Sequence, residues 1–157
     1  MMVLVSGDRE LGDGFGYLHE PRGRVYRFHR PWACDNGAYS GFDAPGFLAM
    51  LKACQGQSGC LFVAVPDVVG QWEQTLELWH RWHPVVRSFG FPVALVAQDG
   101  IAVSKVPWSE VDAVFIGGST RFKLGNTART IAGYAQALGK WVHMGRVNGR
   151  KRMLYAR

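Results

Sequence analysis

Apolar residues in this chain come in short runs that are hydrophobic on successive positions, with no polar alternation. Six runs read as strands: Val3–Val5, Trp32–Cys34, Leu61–Val65, Val93–Ala97, Ala113–Ile116 and Trp141–Met144. Strands of that kind belong to a parallel sheet whose two faces are both covered by helices. Between the third and fourth runs, Trp72, Leu76, Trp79, Trp82 and Val86 recur at spacings of three and four, which predicts a helix over 71–89 with one buried face. The tryptophans of that stripe read as core. Residues 45–53 and 127–138 have the same helical character, and Gly90 and Gly139 stand where helices should stop. Strand and helix in regular succession predict one α/β domain over residues 1–157.

An open doubly wound sheet and a parallel (β/α) barrel both satisfy that order. A complete barrel takes eight strands and about 250 residues, so a barrel of 157 residues would be incomplete, with about six strands. The chemistry at the strand ends favours the TIM-barrel type. Almost every run closes on polar or glycine residues: Asp35-Asn36-Gly37, Pro66-Asp67, Gln98-Asp99-Gly100, Gly117-Gly118-Ser119-Thr120 and Gly145-Arg146. In parallel folds the carboxyl ends of the strands form the ligand-binding edge. Carboxylates and an amide there can read the donors and acceptors of a purine, glycines admit close backbone approach, and Met144 offers an apolar platform.

The net charge of +6, from 18 basic and 12 acidic residues, favours polyanions without naming one. Two basic clusters stand out, Arg22, Arg24, Arg27 and Arg30, then Arg146, Arg150, Lys151, Arg152 and Arg157. Either is a solvated surface or a phosphate-binding face. Gly117–Thr120 also has the composition of a phosphate cradle at a helix start, the signature of a phosphosugar or nucleotide enzyme. Gly12–Gly16 lacks the dinucleotide spacing and reads as a flexible rim loop. His80 and His83 share a helical face without a third ligand, so no metal or other cofactor is expected. The three cysteines, Cys34, Cys54 and Cys60, have no C-x-x-C spacing and read as reduced thiols. With no signal peptide and no apolar stretch of about 18 residues, the reading is a cytoplasmic protein outside the membrane.

From about Trp32 onward the residues resemble the tRNA-guanine transglycosylase (queuine tRNA-ribosyltransferase) family, most closely its phage-type members that act on DNA with 7-deazaguanines. Asp35-Asn36-Gly37-Ala38-Tyr39 is similar to that family's Asp-Ser-Gly-Gly-Phe/Tyr motif, and Val96-Ala97-Gln98-Asp99-Gly100, Phe115–Thr120 and His143–Asn148 look like its later segments. The resemblance implies exchange of guanine for a preQ0-type base in DNA or tRNA. It implies Asp35 as acid/base carboxylate; Asn36, Asp67, Gln98, Gly117, Gly118 and Met144 as base-binding residues; and Arg146, Arg150, Lys151 and Arg152 as contacts to nucleic acid. A non-catalytic base- or nucleic-acid-binding module is the alternative outside enzymes. Val69 stands where tRNA-acting members carry Cys, and Arg157 precedes the family's nucleophilic Asp and zinc cluster. The chain is therefore expected to be truncated, inactive alone, and covered at its last strand by a second polypeptide or another copy of itself.

Overall fold

The computed structural model describes residues 2–7, 10–23, 25–147 and 149–155, apart from the side chains of Lys151, Met153 and Tyr155. Its strands are β1 (Val3–Val5), β2 (Phe15–His19), β3 (Trp32–Cys34), β4 (Cys60–Ala64), β5 (Val93–Ala97), β6 (Ala113–Ile116) and β7 (Trp141–Met144). The helices are α1 (Ala44–Cys54), α2 (Trp72–Ser88), α3 (Thr120–Lys123), α4 (Asn126–Ala137) and α5 (Arg150–Tyr155). The expected helices over 45–53, 71–89 and 127–138 are α1, α2 and α4. Gly90 and Gly139 follow α2 and α4 with φ of 88° and 68°, the left-handed geometry that ends a helix.

Seven strands, one more than expected, form a single sheet in sequence order, and every neighbouring pair is parallel. Order without reversal has a topological consequence: right-handed crossovers that always advance the same way leave their helices on one face. A doubly wound sheet, by contrast, reverses at a switch point. One large core accordingly unites Val63, Val93, Leu95 and Ile116 of the strands with Phe47, Leu51, Trp79 and Ile131 of the helices.

The second face is buried by curvature instead of helices. Ala33, Phe62, Ala64, Ala94, Val96, Ala113 and Phe115 form a separate cluster to which no helix contributes. Three strand spacings separate β4 from β7, about 14 Å on a flat sheet, yet the Phe62 and His143 rings lie 5.4 Å apart. Phe115 stands between them, 6.2 Å from Phe62 and 4.7 Å from His143. The sheet is a half-barrel, and a hollow of about 930 Å³ runs along its concave side and round the β7 edge.

Strand β2 corrects the reading of Gly12–Gly16 as a flexible loop. Phe15 and Gly16 pair with Val3 and Leu4, and Tyr17 is buried. Gly16 hides the strand in the sequence, and it is required: a Cβ there would strike the Pro31 carbonyl oxygen. Among the described residues no helix joins β2 to β3; Tyr26 and Phe28 from the connecting loop pack on the core in its place, Phe28 edge-on to Trp32 at 5.2 Å. No helix among the described residues is long and apolar enough to cross a membrane.

The interior cluster makes a quantitative expectation. Phe62→Ala removes the ring that fills the concave face and should cost about 3–5 kcal/mol, whereas Leu154→Ala, at a site 59% exposed, should change stability by less than about 0.5 kcal/mol. Urea unfolding of the two variants checks both values.

Candidate functional site

The register of β3, β4 and β5 places Asn36, Asp67 and Gln98 just beyond three adjacent strand ends, and their side chains form one buried network. Asn36 Nδ2 donates to Asp67 Oδ1 at 2.7 Å, and Gln98 Nε2 donates to Asp67 Oδ2 at 2.5 Å. Both amides are held from behind. Asn36 Nδ2 also donates to the Val65 carbonyl at 2.9 Å while its Oδ1 accepts from Ala38 N at 2.8 Å, and Gln98 Oε1 accepts from Gly70 N at 2.8 Å. The loop carrying Asp67 is clamped by Thr75, whose hydroxyl accepts from Val68 N at 3.0 Å and donates to Gln71 O at 2.8 Å. Gly117 completes the set by size: a Cβ there would lie 2.7 Å from Val96 Cγ1 and 2.8 Å from Gln98 Nε2.

Asp35 lies beside this network and lines the hollow. Its backbone N–H donates to His19 O, and its Oδ1 accepts from Gly37 N, both at 2.8 Å. Burial raises the Asp35 pKa; the Gly37 N–H opposes that shift and the charge of Glu20 adds to it. Burial likewise pushes Asp67 up to about 6, with the Asn36 and Gln98 donors opposing and the Asp35 charge reinforcing. Desolvation dominates both groups, so each holds a proton more readily than a surface carboxylate.

Other predicted positions fall elsewhere. Met144 packs with Val142 against the helix-side core, on the face opposite the Phe62 ring, yet it also lines the hollow where that space rounds the β7 edge. Gly118, Arg146 and Arg152 line a second cleft of about 610 Å³ next to the hollow. Arg150 is exposed outside its lining, and the Lys151 side chain lies outside the described residues, as do Arg24 and Arg157. In the early basic cluster, Arg27 pairs with Glu10 at 2.5 Å and Arg30 with Asp13 at 3.2 Å, binding the two loops that flank β2 to each other.

Gly117–Thr120, the run with the composition of a phosphate cradle, has its Gly117 N–H donating to Ala97 O at 3.0 Å and its Ser119 groups turned to Asp99. Ser119 N and Oγ both donate to the Asp99 carboxylate, at 2.7 and 2.5 Å, and Ser119 Oγ accepts from Phe122 N at 3.1 Å as the cap of the four-residue α3. The sequence reading gave no role to Lys123, Tyr39 or His143. Lys123 looks like any solvated lysine in sequence, and Tyr39 closes the Asp35–Tyr39 run without a polar spacing of its own. His83, one of the two histidines noted on a helical face, stacks on Trp79 at 4.8 Å and bonds the Trp79 carbonyl.

Two titrations with opposite signs follow. Asp67 has a folded pKa near 6 against an ordinary 3.8, so its contribution to stability is full below pH 3.8 and is lost as pH rises through 6. Burial lowers His143 from 6.5 to about 4, and Lys123 adds to the shift, so its contribution is present above pH 6.5 and lost as pH falls through 4. The slopes oppose each other across the same window. Relative to the parent chain, Asp67→Asn should gain stability with rising pH between about 4.5 and 6.5, and His143→Leu should lose it. Urea midpoints across that range read the two effects, and parallel curves for all three proteins would contradict the assignment.

Comparisons of the chain with protein-family models, with curated proteins and with solved structures each found no match.

Proposed function

We propose that the chain is a transglycosylase-like protein of the incomplete TIM-barrel type, in which Asp67, Asn36 and Gln98 receive the edge of a guanine or 7-deazaguanine base carried by DNA or tRNA. The observation that carries this reading is the Asn36–Asp67–Gln98 network at three consecutive strand ends. Guanine and preQ0-type bases present adjacent N–H donors and a carbonyl acceptor on one edge. A carboxylate has about four lone-pair sites, and the two amides occupy one on each Asp67 oxygen. One position on each oxygen therefore remains for two parallel N–H donors, and the second hydrogen of Gln98 Nε2 suits the base carbonyl. Adenine, with an acceptor and a donor in the corresponding places, would set a lone pair against the carboxylate.

Asp35 supplies the proton function. When the N-glycosidic bond breaks, the bonding electrons go to the base, and a nearby carboxylic acid neutralises that charge by donating its proton. Burial, which favours the protonated form of Asp35, suits it to this step. The same carboxylate then accepts a proton from an incoming base. The incoming base returns an electron pair to C1′ of the pentose as its N–H proton passes to Asp35, so the exchange leaves the carboxyl group protonated as it began.

Titration calorimetry tests the pocket. Guanine or preQ0 should bind with a dissociation constant in the micromolar range or weaker, adenine should give no heat, and Asp67→Ala should weaken binding about 10- to 100-fold, the worth of hydrogen bonds to a charged group. Affinity should fall as pH drops below about 6, because the carboxylate must be ionised to accept. Gly117→Ala, which crowds Gln98, should weaken binding while Asp35→Asn preserves it. Equal heats for guanine and adenine, or an Asp67→Ala protein that binds like its parent, would sink the assignment.

A further inference from the structure

The cleft next to the hollow is built from α3, the segment after β7 and α5, and basic residues outnumber acidic ones in its lining. Lys123 ends α3, Arg146 follows β7 and Arg152 lies on α5, yet all three line one space together with Tyr39 and Thr120. Asp99 is the acidic residue in that lining, and it is engaged by Ser119. Lys123 is only 5% exposed, and its Nζ donates to the Gly145 carbonyl at 3.0 Å. Among the described residues, no carboxylate lies within ion-pair distance of it. Burial lowers its pKa and the charges of Arg152 and Arg146 lower it further, while the Asp99 carboxylate in the same lining opposes them. One carboxylate against a buried ammonium and two guanidiniums leaves a place for a further anion.

The arginines are placed with care. Arg146 has φ of 58°, the single non-glycine residue in left-handed geometry among those described, a conformation that costs of order 1 kcal/mol. That backbone sets its guanidinium 3.7 Å from the centre of the Tyr39 ring, itself 67% exposed. The bonds that orient Arg152 include one from Nη1 to Arg146 O at 2.9 Å and one from Nη2 to Thr120 Oγ1 at 2.6 Å. Arg146 also borders the hollow that Asp35 lines, so it forms a wall common to both spaces.

We propose that this cleft is a phosphate-binding subsite, in which Lys123, Arg146 and Arg152 converge on the phosphate attached to a nucleoside whose base enters the neighbouring pocket. The two arginines offer planar donor forks and Lys123 a point charge, the combination suited to phosphate oxygens. The phosphate chemistry stands on these cations alone, while the nucleoside attached to it rests on the base-pocket reading. The phosphate can be a phosphodiester of a polymer or the monoester of a free nucleotide.

Fluorescence anisotropy with the full chain and labelled single-stranded DNA and RNA separates these cases, with GMP and inorganic phosphate as competitors. Lys123→Met, Arg146→Gly and Arg152→Gln should each weaken polymer binding about 10-fold and reduce the slope of log affinity against log salt by about 0.7 to 1. Arg81→Gln, on the exposed face of α2, should alter binding by less than about 2-fold. Arg146→Gly relieves the left-handed strain, so a protein that melts no lower than its parent yet binds more weakly reports lost contacts and not unfolding. If GMP binding is lost in the same variants while polymer affinity is unaltered, the subsite takes a monoester. Cleft variants that bind every phosphate probe as Arg81→Gln does would overturn the proposal. Guanine calorimetry on the same proteins keeps the two readings apart: cleft variants should bind the free base normally, and an absence of guanine binding with intact cleft effects would remove the base pocket but leave the phosphate subsite.

Discussion

The packing of Phe62 against Phe115 and His143 inside the curl is the contact from which the rest of the architecture follows. A parallel sheet must cover both faces, and with the helices all on one side the other has only itself. Strands turn inward most readily where interior side chains are small. Ala33, Ala64, Ala94 and Ala113 provide that on β3 to β6, and the Phe62 and Phe115 rings fill the space that remains. Gly145 belongs to the same constraint, because a Cβ there would collide with the Phe115 ring. The curvature turns a row of strand ends into a rim, and Asn36, Asp67 and Gln98 stand on that rim.

Polar groups on such a rim are partly removed from water, and their electrostatics show the cost. Asp67 has two amide donors and still has its pKa raised, so desolvation outweighs hydrogen bonding there. Lys123 and His143 are shifted the other way by the same burial. Three groups near one rim are thus held in states that a solvated surface would not impose. Perturbed groups of this kind gather at functional sites.

Periodicity carried most of the fold. The six runs of apolar residues and the three longer helices needed nothing beyond local pattern, since each is long enough to show its period and most are bounded by turn residues. Strand β2 was hidden because Gly16 interrupts it and Phe15 is exposed, so neither continuity nor alternation marks it. The one-sided helix layer was equally hidden: apolar runs report that both faces are buried, not what buries them. At the site, Asn36, Asp67 and Gln98 were legible because polar residues directly after apolar runs mark strand ends. The side of the sheet that Met144 takes was not legible, for a related reason. Met144 ends a run too, but side chains alternate along a strand, and His143 takes the interior position, sending its neighbour to the other face. Lys123 was illegible because its burial depends on Gly145, a residue distant in sequence.

The two proposed sites differ in sign, and that difference has a consequence for orientation. The pocket side of the rim has Asp35 lining the hollow with the buried Asp67 beside it, and the cleft side presents Lys123, Arg146 and Arg152 around Asp99. A nucleotide is itself polar in this sense, with N–H donors on the edge of guanine and negative charge on its phosphate. Entering base first toward Asp67, it satisfies both ends. Reversed, it would set phosphate against carboxylate and N–H donors against guanidinium groups, and like charges in contact cost more in a partly buried site than in water. Arg146, bordering both spaces, is where the two fields meet. Its left-handed backbone is the strained position of the described chain, and strain held by surrounding structure is found where a side chain must be aimed.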